Sequence, residues 1–152
     1  RVVSELPPEQ RQMIEKARHR DAVLEGKRIL IVEDDVRNVY SLTSVLEPRG
    51  ALTRIARNGQ EAIDALQDAA GDDEKTIDLV LMDVMMPVMD GLTAVRAIRA
   101  DQQWRKLPIV MLTAKAMPDD QQKCIDAGAN DYMAKPIDVD KLLSLVRVWM
   151  PR

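Results

Sequence analysis

Three short apolar runs stand out along the chain, each almost unbroken and rich in branched side chains. They are RILIV at 28–32, LVLM at 79–82 and IVML at 109–112. A run of this kind is typical of a strand in a parallel sheet that is covered on both faces. LTRIA at 52–56 and DYMA at 131–134 are weaker candidates for two more strands. The pattern therefore predicts five short strands.

Segments with the apolar spacing of helices lie between these strands. The predicted helices cover about 36–48, 59–69, 91–101, 118–127 and 138–149. Asn58 or Gly59 can open the second helix, since both residue types are preferred at helix starts. Pro118 suits the first turn of the fourth helix, and Gly128 suits its end. Strand and helix alternate five times, which predicts an α/β fold with an open parallel sheet and helices on both faces.

Polar residues follow the predicted strands at the points where they end. They are Glu33, Asp34 and Asp35 after the first strand, Asp83 after the third, Thr113 after the fourth and Lys135 after the fifth. Each alone is weak evidence, because acidic residues often close a strand where the chain emerges into solvent. The carboxyl ends of parallel strands, however, form the ligand-binding edge of such sheets. We therefore expect these side chains to share one cleft.

Carboxylates held close together repel, so such a cleft needs a proton or a bound cation. Hard oxygen ligands without a nearby His or Cys favour Mg²⁺. Asp83 could simply ligate the metal. Its free oxygen could instead attack a phosphoryl group whose charge the metal and Lys135 neutralise, with Thr113 donating a hydrogen bond. The residues alone leave these two roles of Asp83 open.

The motifs ILIVEDDVRN, LVLMDVMMPVMDG, IVMLTAKA and DYMAKPID, in this order, resemble the receiver domain of two-component response regulators. The likeness covers residues 28–149. It implies a flavodoxin-like doubly wound sheet with strand order 2-1-3-4-5. It also implies that a histidine kinase phosphorylates Asp83 in a reaction that requires Mg²⁺.

The same resemblance implies a set of metal ligands. They are Glu33, Asp34, Asp83 and, through its backbone carbonyl, Met85. Asp is commoner than Glu at the first of these positions in the family. The longer arm of Glu33 should still reach the metal through a water molecule.

Three further residues receive roles from the resemblance. Thr113 and Lys135 would contact the phosphoryl group, and Tyr132 would be the aromatic residue that moves with Thr113. Phosphorylation is then expected to change the face formed by the fourth helix, the fifth strand and the fifth helix.

Two other functions compete with this interpretation. An aspartyl-phosphate hydrolase would carry a second Asp two residues after Asp83, where this chain has Met85. A degenerate receiver that serves only as a binding module would lack the acceptor, a metal ligand, the Thr or the Lys. All of these are present, so a phosphorylated receiver is the favoured prediction.

Composition limits the remaining possibilities. The length of 152 residues and a hydrophobic content of 46% suit one domain. The first 28 residues hold seven basic and five acidic residues, which leaves 15 basic against 20 acidic residues in the rest. An acidic body without a basic stripe argues against direct nucleic-acid binding. Without a long apolar run, and with one Cys, we expect no membrane contact and a cytoplasmic location.

The leading segment differs from the rest of the chain. Residues 1–27 have a weak helical spacing behind Pro7 and Pro8, which predicts a connector helix before a receiver domain at 28–152. The run LEGKRILIVEDDVRN resembles the junction at which hybrid sensor histidine kinases enter a C-terminal receiver, and the chain starts without Met. We therefore expect a parent hybrid kinase whose kinase core phosphorylates Asp83, and a histidine phosphotransfer protein as the next partner. A stand-alone response regulator with an N-terminal extension is the alternative.

Overall fold

The computed structural model describes residues 24–72, 74–114 and 117–150. Its strands are β1 (Arg28–Val32), β2 (Leu52–Ala56), β3 (Leu79–Asp83), β4 (Ile109–Thr113) and β5 (Asp131–Ala134). They pair in parallel in the order β2-β1-β3-β4-β5. This confirms the predicted doubly wound, flavodoxin-like sheet with order 2-1-3-4-5.

The helices of the described residues follow the predicted alternation with the strands. They are α1 (Val36–Leu46), α2 (Gly59–Ala69), α3 (Gly91–Ala100), α4 (Pro118–Ala127) and α5 (Val139–Trp149). The first helix was predicted to reach residue 48, but it ends at Leu46 and the chain tightens into a 3-10 turn at Glu47–Arg49. The proline in that turn has no backbone N–H to continue the α-helical pattern.

Two strands are one residue longer than their apolar runs predicted, and each includes a polar residue. β3 ends with Asp83 and β4 ends with Thr113. Backbone hydrogen bonds carry the pairing past the apolar residues, because Val84 N donates to Leu112 O at 3.0 Å and Lys135 N donates to Thr113 O at 2.8 Å. Both polar side chains are therefore held on the regular sheet rather than on the loops that follow it.

Helices cover both faces of the sheet. α1 and α5 bury their apolar residues against one face, where Leu42, Leu46, Leu142 and Val146 pack with alternate residues of the central strands. α2, α3 and α4 cover the other face. Since every side chain of β3 and β4 is buried on one face or the other, the unbroken apolar runs are explained.

Side chains close the start of most helices. Asp35, Asn58, Asp90 and Asp138 accept backbone N–H groups at the starts of α1, α2, α3 and α5. This confirms Asn58 as the opening residue of the second helix. α4 instead starts after Met117, whose side chain makes no cap hydrogen bond.

The predicted connector helix falls mostly outside the described residues, which begin at Leu24. Leu24 is buried, and its backbone N–H donates to Arg49 O at 3.1 Å. Gly26 N donates to Gly50 O at 3.2 Å, so residues 24–27 pack against the turn that follows α1. None of the helices in the described ranges is long and apolar enough to cross a membrane.

Candidate functional site

Three carboxylates from two neighbouring strand ends meet at the carboxyl edge of the sheet. Glu33 follows β1, is 1% exposed, and donates its backbone N–H to Ala56 O at 2.9 Å. Asp83 ends β3 and is 5% exposed, whereas Asp34 is exposed. One carboxylate oxygen of each residue lies within 4.8 Å of the others. The structure thus brings together three of the four carboxylates that the sequence placed in one cleft, and the fourth, Asp35, lies outside the cluster.

Lys135 joins the two buried carboxylates of this cluster. Its Nζ donates to Oε2 of Glu33 at 3.0 Å and lies 3.2 Å from Oδ2 of Asp83. The Lys135 side chain is 19% exposed. Burial works against the charged ammonium, but the hydrogen bond to Glu33 and the attraction of both carboxylates outweigh it and raise the pKa of Lys135. The ammonium is therefore a fixed positive charge at physiological pH.

One ammonium does not fully compensate two buried carboxylates. Burial, followed by repulsion from Glu33, raises the pKa of Asp83 from 3.8 to about 6, although attraction and a hydrogen bond from Lys135 act in the opposite direction. A carboxylate of this kind gains from any further positive charge that approaches it. At neutral pH Asp83 is therefore mostly ionised and can interact with a cation or an electrophile.

Asp83 is held in place by a hydrogen bond to its side chain and by a hydrogen bond to the backbone that follows it. Met85 N donates weakly to its Oδ1 at 3.4 Å, and Gly91 N, at the start of α3, donates to Val84 O at 2.9 Å. A Cβ atom on Gly91 would overlap the backbone carbonyl of Asp83 and lie 2.7 Å from Cε of Met111. Glycine is therefore required for α3 to begin directly behind the end of β3.

Thr113 and Tyr132 lie on the neighbouring strands. Thr113 is buried at the end of β4 and pairs in register with Ala134, while Tyr132 pairs with Met111. Tyr132 and Thr113 are therefore diagonal neighbours on one face of the sheet. Tyr132 is half-buried and packs against the core on the side of α2, α3 and α4.

Asp35, the third acidic residue after β1, does not belong to the cluster. Its Oδ1 accepts Arg37 N at 2.9 Å at the start of α1, and its Oδ2 pairs with the Arg37 guanidinium at 3.1 Å. These interactions with Arg37 lower the pKa of Asp35. Its role is to cap α1, which is a common role for Asp in this position.

The donor set fits Mg²⁺. The residues that would hold the ion are Glu33, Asp34 and Asp83, all of which offer hard oxygen atoms. Both oxygens of Glu33 already accept hydrogen bonds, Oε1 from Asp35 N at 3.1 Å and Oε2 from Lys135. Glu33 is therefore better suited to act through a water molecule, whereas Asp34 is exposed and can ligate directly.

Sequence reasoning did not reveal two parts of this site. The ion pair between Lys135 and Glu33 joins residues 102 positions apart, so no local signal marks it. Gly91 was predicted as the first residue of the third helix, and its contact with the Asp83 backbone was not foreseen. An Asp–Gly pair soon after a strand that ends in Asp was the available signal.

A match to the response regulator receiver domain covers residues 29–147. Sensor protein GacS of Pseudomonas syringae pv. syringae is 39% identical over 125 residues. The aligned region covers 80% of this chain and 13% of that relative, so the chain corresponds to a small part of the longer protein.

Solved structures show the same fold. The receiver domain of a sensor histidine kinase from Pseudomonas aeruginosa PAO1, with a magnesium ion coordinated in its active-site cleft, is 36% identical with a TM-score of 0.69. The match covers 82% of this chain and 97% of that one. A complex of the Saccharomyces cerevisiae histidine phosphotransfer protein Ypd1 with the receiver domain of Ssk1 matches at 30% identity and a TM-score of 0.73, covering 82% of this chain and 88% of that one.

Proposed function

Because this chain belongs to the response regulator receiver domain family, we propose that it is the phosphoacceptor of a two-component phosphorelay and that a histidine kinase phosphorylates Asp83 in an Mg²⁺-dependent reaction. One observation carries the proposal. Asp83 is a buried, incompletely compensated carboxylate at a rigid strand end, 3.2 Å from an ammonium and beside two further carboxylates. This arrangement combines a nucleophile with the positive charge that phosphoryl transfer needs.

The proposed reaction is a phosphoryl transfer from histidine to aspartate. An Oδ atom of Asp83 attacks the phosphorus of a phosphohistidine, and the P–N bond breaks as the P–O bond forms. The electron pair of the broken bond returns to the imidazole nitrogen, which leaves with a proton from solvent. Asp34, Asp83, the backbone carbonyl of Met85 and, through water, Glu33 would hold Mg²⁺, which would neutralise charge on the phosphoryl oxygens when bound.

Lys135 and Thr113 complete the site in this proposal. Lys135 exchanges its contact with Asp83 for a phosphoryl oxygen while Glu33 continues to hold the ammonium. The hydroxyl of Thr113, on the neighbouring strand end, hydrogen-bonds the phosphoryl group. Glu33 thereby serves as an anchor for the lysine as well as part of the metal site.

The response is proposed to pass from Thr113 to Tyr132. As Thr113 moves towards the phosphoryl group, space opens beside it into which Tyr132 turns. Tyr132 lines a groove of about 600 Å³ between α4 and α5, together with Met133, Lys141 and Leu145. A change of charge at Asp83 therefore becomes a change in the shape of this surface.

The parent protein and partners form the finer part of the proposal. We place the domain in a hybrid sensor histidine kinase in the cytoplasm, with a histidine phosphotransfer protein as the next acceptor. The similarity to a sensor protein and to a receiver in complex with a phosphotransfer protein supports this context. α1 exposes Val36 and Tyr40 beside the acidic cluster, which offers an apolar docking surface close to Asp83.

Acetyl phosphate tests the acceptor directly. With Mg²⁺ present, intact-mass spectrometry should show one phosphoryl group on the wild type and none on Asp83→Asn. Lys135→Ala should be labelled more slowly, whereas Lys106→Ala, a change at an exposed lysine before β4, should match the wild type. Equal labelling of Asp83→Asn would place the acceptor elsewhere, and steady release of phosphate from simple phosphoesters would favour the hydrolase instead.

Transfer from a kinase tests the context. The kinase core of the parent protein, supplied with radiolabelled ATP, should label the wild-type domain but not Asp83→Asn. Efficient labelling by an unrelated kinase, with none from the parent core, would overturn the proposed hybrid context.

A further inference from the structure

α4 is held unevenly along its length. Among the five helices of the described residues, the other four begin with a side chain that accepts a backbone N–H, whereas α4 begins after Met117 without such a cap. The buried residues of α4 are Cys124 and Ala127, both in its second half. The buried side chains of α4 therefore lie towards its carboxyl-terminal end.

The carboxyl-terminal end of α4 is closed by a glycine turn. Gly128 has φ +116°, and its N–H donates to Ile125 O at 3.0 Å. Ala129 N donates to Cys124 O at 3.1 Å. These bonds satisfy the last carbonyl groups of the helix, as a left-handed glycine turn commonly does.

Arg99, near the end of α3, fastens this turn to the rest of the domain. Its Nε donates to Gly128 O at 2.8 Å, and one terminal nitrogen donates to Oδ1 of Asn130 at 2.7 Å. The other terminal nitrogen donates to Trp104 O at 2.6 Å and to Arg105 O at 3.1 Å. One guanidinium group therefore joins α3, the turn that follows α3 and the segment between α4 and β5.

The Arg99 clamp, formed by the hydrogen bonds from Arg99 to Trp104, Arg105, Gly128 and Asn130, also reaches the first residue of β4. Oδ1 of Asn130 accepts Ile109 N at 2.9 Å as well as the Arg99 guanidinium. The stem of Arg99 packs closely on the glycine turn, because a Cβ atom on Gly128 would lie 2.7 Å from Cγ of Arg99. Gly128 is thus required by its conformation and by the space that Arg99 occupies.

We propose that Arg99 is a positioning residue that anchors the carboxyl-terminal end of α4, so that the response to phosphorylation is confined to the amino-terminal half of this helix. This inference rests on the proposed phosphorylation of Asp83. Thr113 lies at the site end of β4, whereas Ile109 and Gly128, at the other end, are fixed by the same guanidinium network. α4 then pivots about its Gly128 end instead of moving as a whole.

Residue-resolved amide exchange by NMR tests the anchor without any phosphodonor. Arg99→Lys keeps the charge but loses the planar fork that serves several acceptors at once. Losing hydrogen bonds from a charged donor should raise exchange at residues 127–129 about tenfold or more. Arg96→Ala, a change at an exposed arginine on the same helix, should leave it unchanged. Unchanged protection in Arg99→Lys would overturn the proposal.

Acetyl phosphate and Mg²⁺ test the confinement. In the wild type, amide shifts and exchange should change at 118–122 and stay constant at 127–129, whereas in Arg99→Lys the change should extend through 129. Labelling of Asp83 should proceed at the wild-type rate in Arg99→Lys and in Arg96→Ala, because Arg99 contacts the opposite end of the sheet. Equal changes at both ends of α4 in the wild type would contradict the pivot.

Two outcomes separate this inference from the proposed function. If the wild type is not labelled, the proposed function fails and the phosphorylation response fails with it, but loss of protection in Arg99→Lys still establishes the anchor. If Arg99→Lys does not fold, Asn130→Ala replaces it, because it removes one acceptor and retains the arginine. A smaller rise in exchange at 127–129 is expected there, and no rise would overturn the anchor.

Discussion

Replacing the Asp83 carboxylate should stabilise the domain at neutral pH. Asp83 is 5% exposed, and burial together with repulsion from Glu33 raises its pKa from 3.8 to about 6. A folded-state pKa above the unfolded value means that the contribution of Asp83 to stability is fully present below pH 3.8. It is lost as the pH rises through 6, because the folded state then has to hold a charge that water would solvate better.

The size of the effect follows from the pKa. Each pKa unit corresponds to about 1.36 kcal/mol, so ionised Asp83 costs the folded state about 3 kcal/mol at pH 7 relative to pH below 3.8. Asp83→Asn removes this charge and leaves the Lys135–Glu33 pair in place. The buried amide retains part of the cost of a polar group, so we expect a gain of about 2 kcal/mol in the free energy of unfolding at pH 7.

Urea unfolding between pH 3.5 and 8, with a chelator present to exclude divalent ions, measures this gain. The difference between Asp83→Asn and the wild type should be smallest near pH 3.5 and reach its full size above pH 6. Asp64→Asn, a change at an exposed carboxylate on α2, is the matched control and should show no such pH dependence. A variant that is less stable than the wild type at pH 7, or a gain that is largest in acid, would refute the reasoning.

Three further predictions concern the same end of the sheet. Gly91→Ala should lower the free energy of unfolding by about 1 to 3 kcal/mol and slow the proposed labelling of Asp83, because the added Cβ overlaps the backbone of Asp83. Wild-type stability in urea would contradict this. Val88 is 86% exposed and has φ +66°, a backbone conformation that favours glycine. Val88→Gly should therefore be about 0.5 to 1 kcal/mol more stable than the wild type in thermal unfolding, whereas Val88→Ala should show no such gain. Millimolar Mg²⁺ should shift the amide NMR signals of residues 33–35 and 83–85 in the wild type, and unchanged shifts there would exclude the proposed metal site.

Most of the architecture could be read from local patterns. Five strands were predicted at or within one residue of their ends, because residues covered on both faces of a parallel sheet must be apolar in succession. The helix starts at Asn58 and Pro118 and the stop at Gly128 were also marked locally, since caps depend on neighbouring residues. The strand order came from the resemblance of four motifs to a known family, which periodicity alone does not supply.

The clustering of Glu33, Asp34 and Asp83 was also predictable, because the carboxyl ends of parallel strands lie at one edge of the sheet. The separate role of Asp35 was not predicted. Asp35 and Asp34 are adjacent in sequence, yet one caps α1 and the other faces the cluster, a difference set by where the helix begins.

Tertiary structure decided the interactions that join distant parts of the chain. The pairing of Lys135 with Glu33, the fit of Gly91 behind Asp83 and the clamp of Arg99 on the end of α4 all depend on distances of a few ångströms between separate elements. A hydrophobic pattern specifies which face of a helix or strand is buried, but it does not fix which atoms across the interface come within hydrogen-bonding range. Those distances are set by the packing of whole helices and strands against each other. The same packing sets the pKa of Asp83 and buries α4 mainly towards its carboxyl-terminal end.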